Sequence, residues 1–210
     1  MLILKNIQKK YGASTILNIE NLELPVGIYW LKGGNGSGKT TLFKMLAGLI
    51  PFEGQILLND LDIRQQPVAY RQQVNYGEAE PNYPDFLTGN DLIQFIAKTK
   101  NADKVTVKNL IDVLDIGHYL HRAVGTYSSG MLKKLSLMLA FIGQPKLLVL
   151  DEPLITIDAI AVQNMIKLIN EYHQKGTLIL LSSHQNFDNQ TDIIIHKTLL
   201  VHNQTVEFAV

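Results

Sequence analysis

Apolar positions come in short runs broken by turn residues, and their period changes along the chain. Leu2-Ile3-Leu4, Thr15–Ile19 and Asn21–Leu24 alternate in part, which predicts strands. Tyr11-Gly12 and Pro25-Val26-Gly27 predict the turns between them. Ile28-Tyr29-Trp30-Leu31 is a continuous run, the mark of a strand buried on both faces. Thr41–Ala47 predicts a helix that Gly48 and Pro51 stop, and Gly54–Leu58 returns to strand before a turn at Asn59-Asp60.

From Thr88 the period becomes helical. Thr88-Gly89-Asn90-Asp91 forms a capping box ahead of Leu92, Ile93, Phe95 and Ile96. A second capped segment is predicted from Thr106 through Val107, Leu110, Ile111, Val113 and Leu114, and helical pattern resumes from Ser128 to Gly143. Residues 88–140 therefore read as a helical insertion. Gln144-Pro145 breaks it, and strand 147–151, helix 158–175, Gly176 at its C′ position and strand 177–182 form a βαβ unit. Residues 192–210 predict two or three short strands. The expectation is a single α/β domain over 1–210. Its core is 1–87 and 141–210, with a mostly parallel sheet, an N-terminal antiparallel β part and the inserted helices.

Composition narrows the class. The chain has 210 residues, no cysteine and a formal net charge of zero. Disulfides and thiolate chemistry are excluded, which fits a reducing compartment, and nothing predicts a nucleic-acid partner. Met1–Asn6 turns polar too early for the apolar region of a signal peptide. No apolar run reaches the roughly 18–20 residues that span a bilayer. A role at a membrane would require recruitment.

The candidate chemistry centres on Gly33-Gly34-Asn35-Gly36-Ser37-Gly38-Lys39-Thr40, followed by Thr41. It fits the phosphate-loop pattern G-x-x-x-x-G-K-[ST] and lies between a predicted strand and a predicted helix. Glycines let backbone N–H groups turn inward on an anion at a helix N-terminus. Lys39 is expected to reach the outer phosphates of a nucleoside triphosphate and Thr40 to sit on Mg²⁺. Leu147–Leu150 is an apolar strand that ends in Asp151 and Glu152. Asp151 is the candidate for holding Mg²⁺ through water, and Glu152 for polarising the attacking water. Tyr127-Ser128-Ser129-Gly130-Met131 opens a helix; alone it is an ordinary N-cap, with Ser128–Gly130 a possible second phosphate contact. His184 follows Ser182-Ser183 at a strand tip, where it could meet a γ-phosphate or the water.

In this order the motifs resemble the ATP-binding cassette (ABC) family of ATPases, over about Leu2 to Val206. The resemblance implies a RecA-like core, ATP and Mg²⁺ as ligands, and Gly33–Thr41 as the Walker A loop. It also implies adenine stacking on Tyr11, Ser128, Ser129 and Gly130 as the signature, and Asp151 as the Walker B aspartate. Glu152 would be the general base, Asp158 the D-loop aspartate and His184 the switch histidine. It implies a head-to-tail dimer of ATP-binding subunits, in which each signature closes the other's site. Tyr-Ser-x-Gly-Met is similar to export-type cassettes with separate transmembrane permease subunits. That places the chain in the cytoplasm, peripheral on the inner face of the membrane.

Two stretches depart from the family. Where the Q-loop glutamine stands, this chain has Ala79, flanked by Glu78 and Glu80 as candidate substitutes. Leu154-Ile155-Thr156-Ile157 stands where the family more often has Thr-x-Gly-Leu, which puts the backbone before Asp158 in question. Transport coupling is the leading reading. A soluble ABC ATPase that remodels a cytoplasmic partner is the alternative, and a GTPase is disfavoured because no Asn-Lys-x-Asp guanine motif occurs.

Overall fold

The structure is a computed structural model and describes residues 1–183 and 192–209. Among the described residues, ten strands and six α-helices follow one another, with a short 3-10 turn at Val124–Thr126. β1 (Leu2–Tyr11), β2 (Ser14–Leu24), β4 (Glu53–Leu58) and β5 (Leu61–Asp62) form an antiparallel sheet in the order β2-β1-β4-β5. β3 (Ile28–Lys32), β6 (Val74–Gly77), β7 (Leu147–Leu150), β8 (Leu178–Ser182), β9 (Lys197–His202) and β10 (Thr205–Phe208) form the second, in the order β10-β9-β3-β8-β7-β6. All its pairings are parallel except the β9–β10 hairpin.

Each face of the larger sheet buries a separate apolar cluster, as a parallel sheet requires. On one side Tyr29, Leu31, Val149 and Leu180 meet the antiparallel sheet and α1 (Lys39–Leu46). On the other, Trp30, Leu148, Leu150 and Leu181 meet α3 (Gly89–Thr99), α4 (Lys104–Leu114), α5 (Ser129–Phe141) and α6 (Ala159–Gln174). The uninterrupted apolar runs of β3, β7 and β8 have this origin: neighbouring residues face different cores.

Several local expectations are corrected. β2 is one strand through Glu20 rather than two, because its pairing with β1 keeps one register from Leu17 to Leu24 although the buried positions change phase at Glu20-Asn21. The cap of α4 is Asp103, not Thr106; Asp103 accepts from the Thr106 backbone N–H at 2.8 Å and from its hydroxyl at 2.6 Å. Strand β7 stops at Leu150, one residue before Asp151. α2 (Pro67–Gln73) and β6 were not anticipated. β6 is only four residues, and one of them is a buried Asn75 whose amide donates to the Ala140 and Ile142 carbonyls at 2.7 and 2.8 Å. The box at Thr88 and Asp91 forms as expected, and Gly176 follows α6 at φ 86°.

Candidate functional site

The carboxyl ends of β3, β7 and β8 lie side by side, and the candidate residues gather there. The loop after β3 reaches α1 through Gly38, the helix N-cap, at φ 107°. A side chain at Gly38 would meet Ile16 and Leu17 of β2, so both backbone angle and space demand glycine. At Gly33 a Cβ would lie 2.8 Å from the Val201 carbonyl, so the loop runs directly along β9. Lys39 is buried, and its ammonium donates to the Gly33 and Gly34 carbonyls at 2.7 and 3.1 Å. The loop thus curls around its own lysine. Its free N–H groups and the start of α1 form an anion cradle.

Asp151 is buried at the end of β7 and is gripped from two sides. The Thr40 hydroxyl donates to Oδ2 at 2.8 Å, and the Ser182 hydroxyl donates to Oδ1 at 2.6 Å. The Tyr76 hydroxyl stands 3.5 Å from Oδ2. Burial and the Asp151 and Glu78 carboxylates push the Tyr76 phenol far up, so it stays neutral and can donate. Ser182 also accepts the Glu152 backbone N–H at 3.0 Å, so one hydroxyl holds the Asp151 carboxylate and the Glu152 backbone. Glu152 is buried at φ 48°, a left-handed backbone that costs energy for a residue with a side chain.

Thr40 and Asp151 supply the donor set for a hard cation: a hydroxyl and a carboxylate oxygen in contact, at the mouth of the cradle. Among the described residues, no group of three or more His, Cys, Asp or Glu could hold a metal ion. A hydroxyl and a carboxylate oxygen in contact are donor chemistry that fits Mg²⁺.

The remaining candidates are distributed as follows. Tyr11 ends β1 half-exposed, with the Lys9 ammonium 4.6 Å from its ring centre. Ser128 caps α5 by accepting from Met131 N–H, and Ser129 and Gly130 form the first turn. Among the described residues no hydrogen bond joins Ser128–Gly130 to the loop at 33–41. Gly130 instead lies under the Thr156 carbonyl, 2.9 Å from where a Cβ would stand. Thr156 takes φ 62°, so the left-handed turn survives without glycine. Asp158 caps α6 and pairs with Lys134; the Lys134 hydrogen bond, then the Ala161 N–H, hold its carboxyl below the usual range. His184 lies outside the described residues.

Three contributors were not singled out from sequence. Ser182 was noted only as a neighbour of His184, and Tyr76 only as part of the Q-loop stretch. The third is Lys133, 1% exposed, on α5. Its ammonium donates to the carbonyls of Glu78 at 2.7 Å, Ala79 at 3.3 Å and Asp151 at 2.8 Å. Burial draws its pKa down to about 8, against the pull of the Asp151, Glu152 and Glu78 carboxylates. A lysine at the fifth position of an apolar helix, aligned with no motif, gives no local sign of this.

Comparison with known proteins converges on one description. The family profile described as ABC transporter matches residues 18–155. The lantibiotic transport ATP-binding protein SrtF of Streptococcus pyogenes is 32% identical over 186 residues, 88% of this chain and 80% of that protein. The bacitracin transport ATP-binding protein BcrA of Enterococcus faecalis is 32% identical, over 86% of this chain and 60% of its own length. Among solved structures, an ATP-binding subunit of an ABC transporter superposes with a TM-score of 0.89 at 25% identity, covering 100% of this chain and 90% of its own. The ATP-binding cassette MJ0796, solved as a dimer bound to ADP and Pi, shares the fold at a TM-score of 0.83 and 16% identity, over 99% and 97% of the two chains.

Proposed function

The chain belongs to the ABC transporter family of ATP-binding proteins, and from that premise we propose that it hydrolyses ATP to drive a separate membrane-embedded subunit. The observation that carries the reading is the Thr40–Asp151–Ser182 hydrogen-bonded set at the mouth of the glycine loop, with Glu152 next in sequence.

The loop N–H groups and Lys39 hold the β- and γ-phosphates, and adenine stacks on the exposed face of Tyr11. Thr40 and, through water, Asp151 would hold Mg²⁺, which would supply charge neutralisation to the phosphates. Glu152 takes a proton from the water whose oxygen attacks the γ-phosphorus; the bond to the bridging oxygen breaks, and ADP and phosphate leave. His184 is assigned to the γ-phosphate. Ser128, Ser129 and Gly130 of a second, identical subunit close over the site, with Asp158 near that contact. The helices of residues 88–140 then move as a lobe against the sheet.

A largely apolar groove runs between the end of α1, α2, the segment after β6, and α3. Leu49, Val68 and Phe95 line it, and Val68 and Phe95 are 66% and 64% exposed. We assign it to a helix of the membrane subunit. No helix among the described residues is long and apolar enough to cross a membrane, so binding there would hold the chain at the inner face. Cargo choice then rests with the membrane subunit.

The test is Glu152→Gln, which removes the base and keeps the shape. Turnover is expected to fall by about 100- to 10,000-fold, while ATP drives the variant into a stable dimer on gel filtration. Turnover at the wild-type rate would remove Glu152 from the role. Copurification from membranes tests the partner; recovery of the chain free of any membrane protein would favour a soluble ABC ATPase.

A further inference from the structure

β6 and β7 run parallel until the Asp151 N–H bonds the Gly77 carbonyl at 2.8 Å. Beyond that bond the strands part. The next carbonyls, of Glu78, Ala79 and Asp151, would lose their ladder partners in a partly buried crevice, where unpaired polar groups are costly. Lys133 supplies all three donors from α5. Its ammonium has three N–H groups and meets three carbonyls, so its capacity is filled.

We propose that Lys133 is a positioning residue for hydrolysis. It registers the loop at Glu78-Ala79 against Asp151 and ties both to the helix that begins at Ser128. Ala79 has no side chain able to reach the metal or the water, so this loop is placed by backbone capture. The captured backbone belongs to groups on which the chemistry depends: Asp151 touches Thr40, and Glu152 follows it. Because Lys133 stands on the rigid body of α5, a displacement at Ser128–Gly130 is transmitted to Asp151 and Ala79 through one side chain. The groups of the phosphate cradle do not touch Lys133, so nucleotide affinity and turnover respond differently to its loss.

This inference rests on the hydrolytic reading above. The experiment compares full-length wild type, Glu152→Gln, Lys133→Met, Lys133→Gln and Lys133→Arg. It measures binding of a fluorescent ATP analogue, steady-state ATP hydrolysis and thermal melting. Lys133→Met is expected to lower kcat about 10- to 100-fold, with nucleotide Kd within about threefold of wild type. Lys133→Arg, which keeps the charge and several donors, is expected to recover most of that loss. If Lys133→Met does not fold, Lys133→Gln against Lys133→Arg decides: a slower Gln variant at equal affinity supports the assignment. Turnover near wild type in Met or Gln overturns it, and so does a loss that follows affinity and is not rescued by Arg. An inactive wild type, no different from Glu152→Gln, would overturn the hydrolytic reading and this assignment with it. An active wild type with indifferent Lys133 variants overturns this assignment alone.

Discussion

Three segments leave the carboxyl ends of strands in one sheet and are held in two opposite ways. The loop after β3 is closed by its own residues: glycines at 33, 36 and 38, and a lysine that bonds carbonyls five and six positions back. The segments after β6 and β7 are closed from far away in the chain. Lys133 reaches them across 55, 54 and 18 positions, and Ser182 reaches Asp151 across 31. A grip on phosphate can be built locally and transplanted between folds. The placement of Asp151 and Glu152 requires the assembled sheet and helix.

The first way to break this contrast is Lys39→Ala. The variant should still fold, because what it loses within the chain is the pair of hydrogen bonds to the Gly33 and Gly34 carbonyls and no core contact. On the proposed role of Lys39 at the phosphates, it should lose ATP binding by about 100-fold or more. An isothermal titration showing wild-type affinity would end the assignment of Lys39. Ser182→Ala tests the distant half. It deprives a buried carboxylate of a donor and the Glu152 N–H of its acceptor, so stability should fall by about 1–3 kcal/mol. kcat should fall about tenfold more than ATP affinity, as displacement of a positioned group implies. Equal losses in kcat and affinity would mean that Ser182 only supports the fold. The smallest effect is expected at Thr156→Gly. A β-branched residue at φ 62° is strained, so glycine should raise stability by about 1 kcal/mol, read as a shift in chemical denaturation midpoint. A destabilised variant would show that the threonine side chain holds the turn.

How far the sequence could be read follows the same division. Gly33–Thr40, the capping box at Thr88-Asp91 and the strand before Asp151 were legible because each is specified by contiguous residues. The cap of α4 falls at Asp103 rather than Thr106 because both residue types suit an N-cap and only the structure shows that Thr106 donates both its N–H and its hydroxyl to Asp103. β6 escaped notice because four residues including a polar Asn75 carry no period, and the carbonyls that accept from its amide nitrogen stand at the distant C-terminal end of α5.

By itself the sequence determined the phosphate cradle, the order of the motifs and the two textures, sheet and helix, that make the fold. These depend on steric freedom and apolar period over a few neighbouring residues. Only the tertiary structure decided that Asp151 lies between Thr40 and Ser182, that Thr156 keeps a glycine-like turn, and that Lys133 fastens the loop at Ala79. Those facts arise where separate strands end together and leave buried carbonyls and carboxylates in need of donors, a need that no single stretch of chain displays.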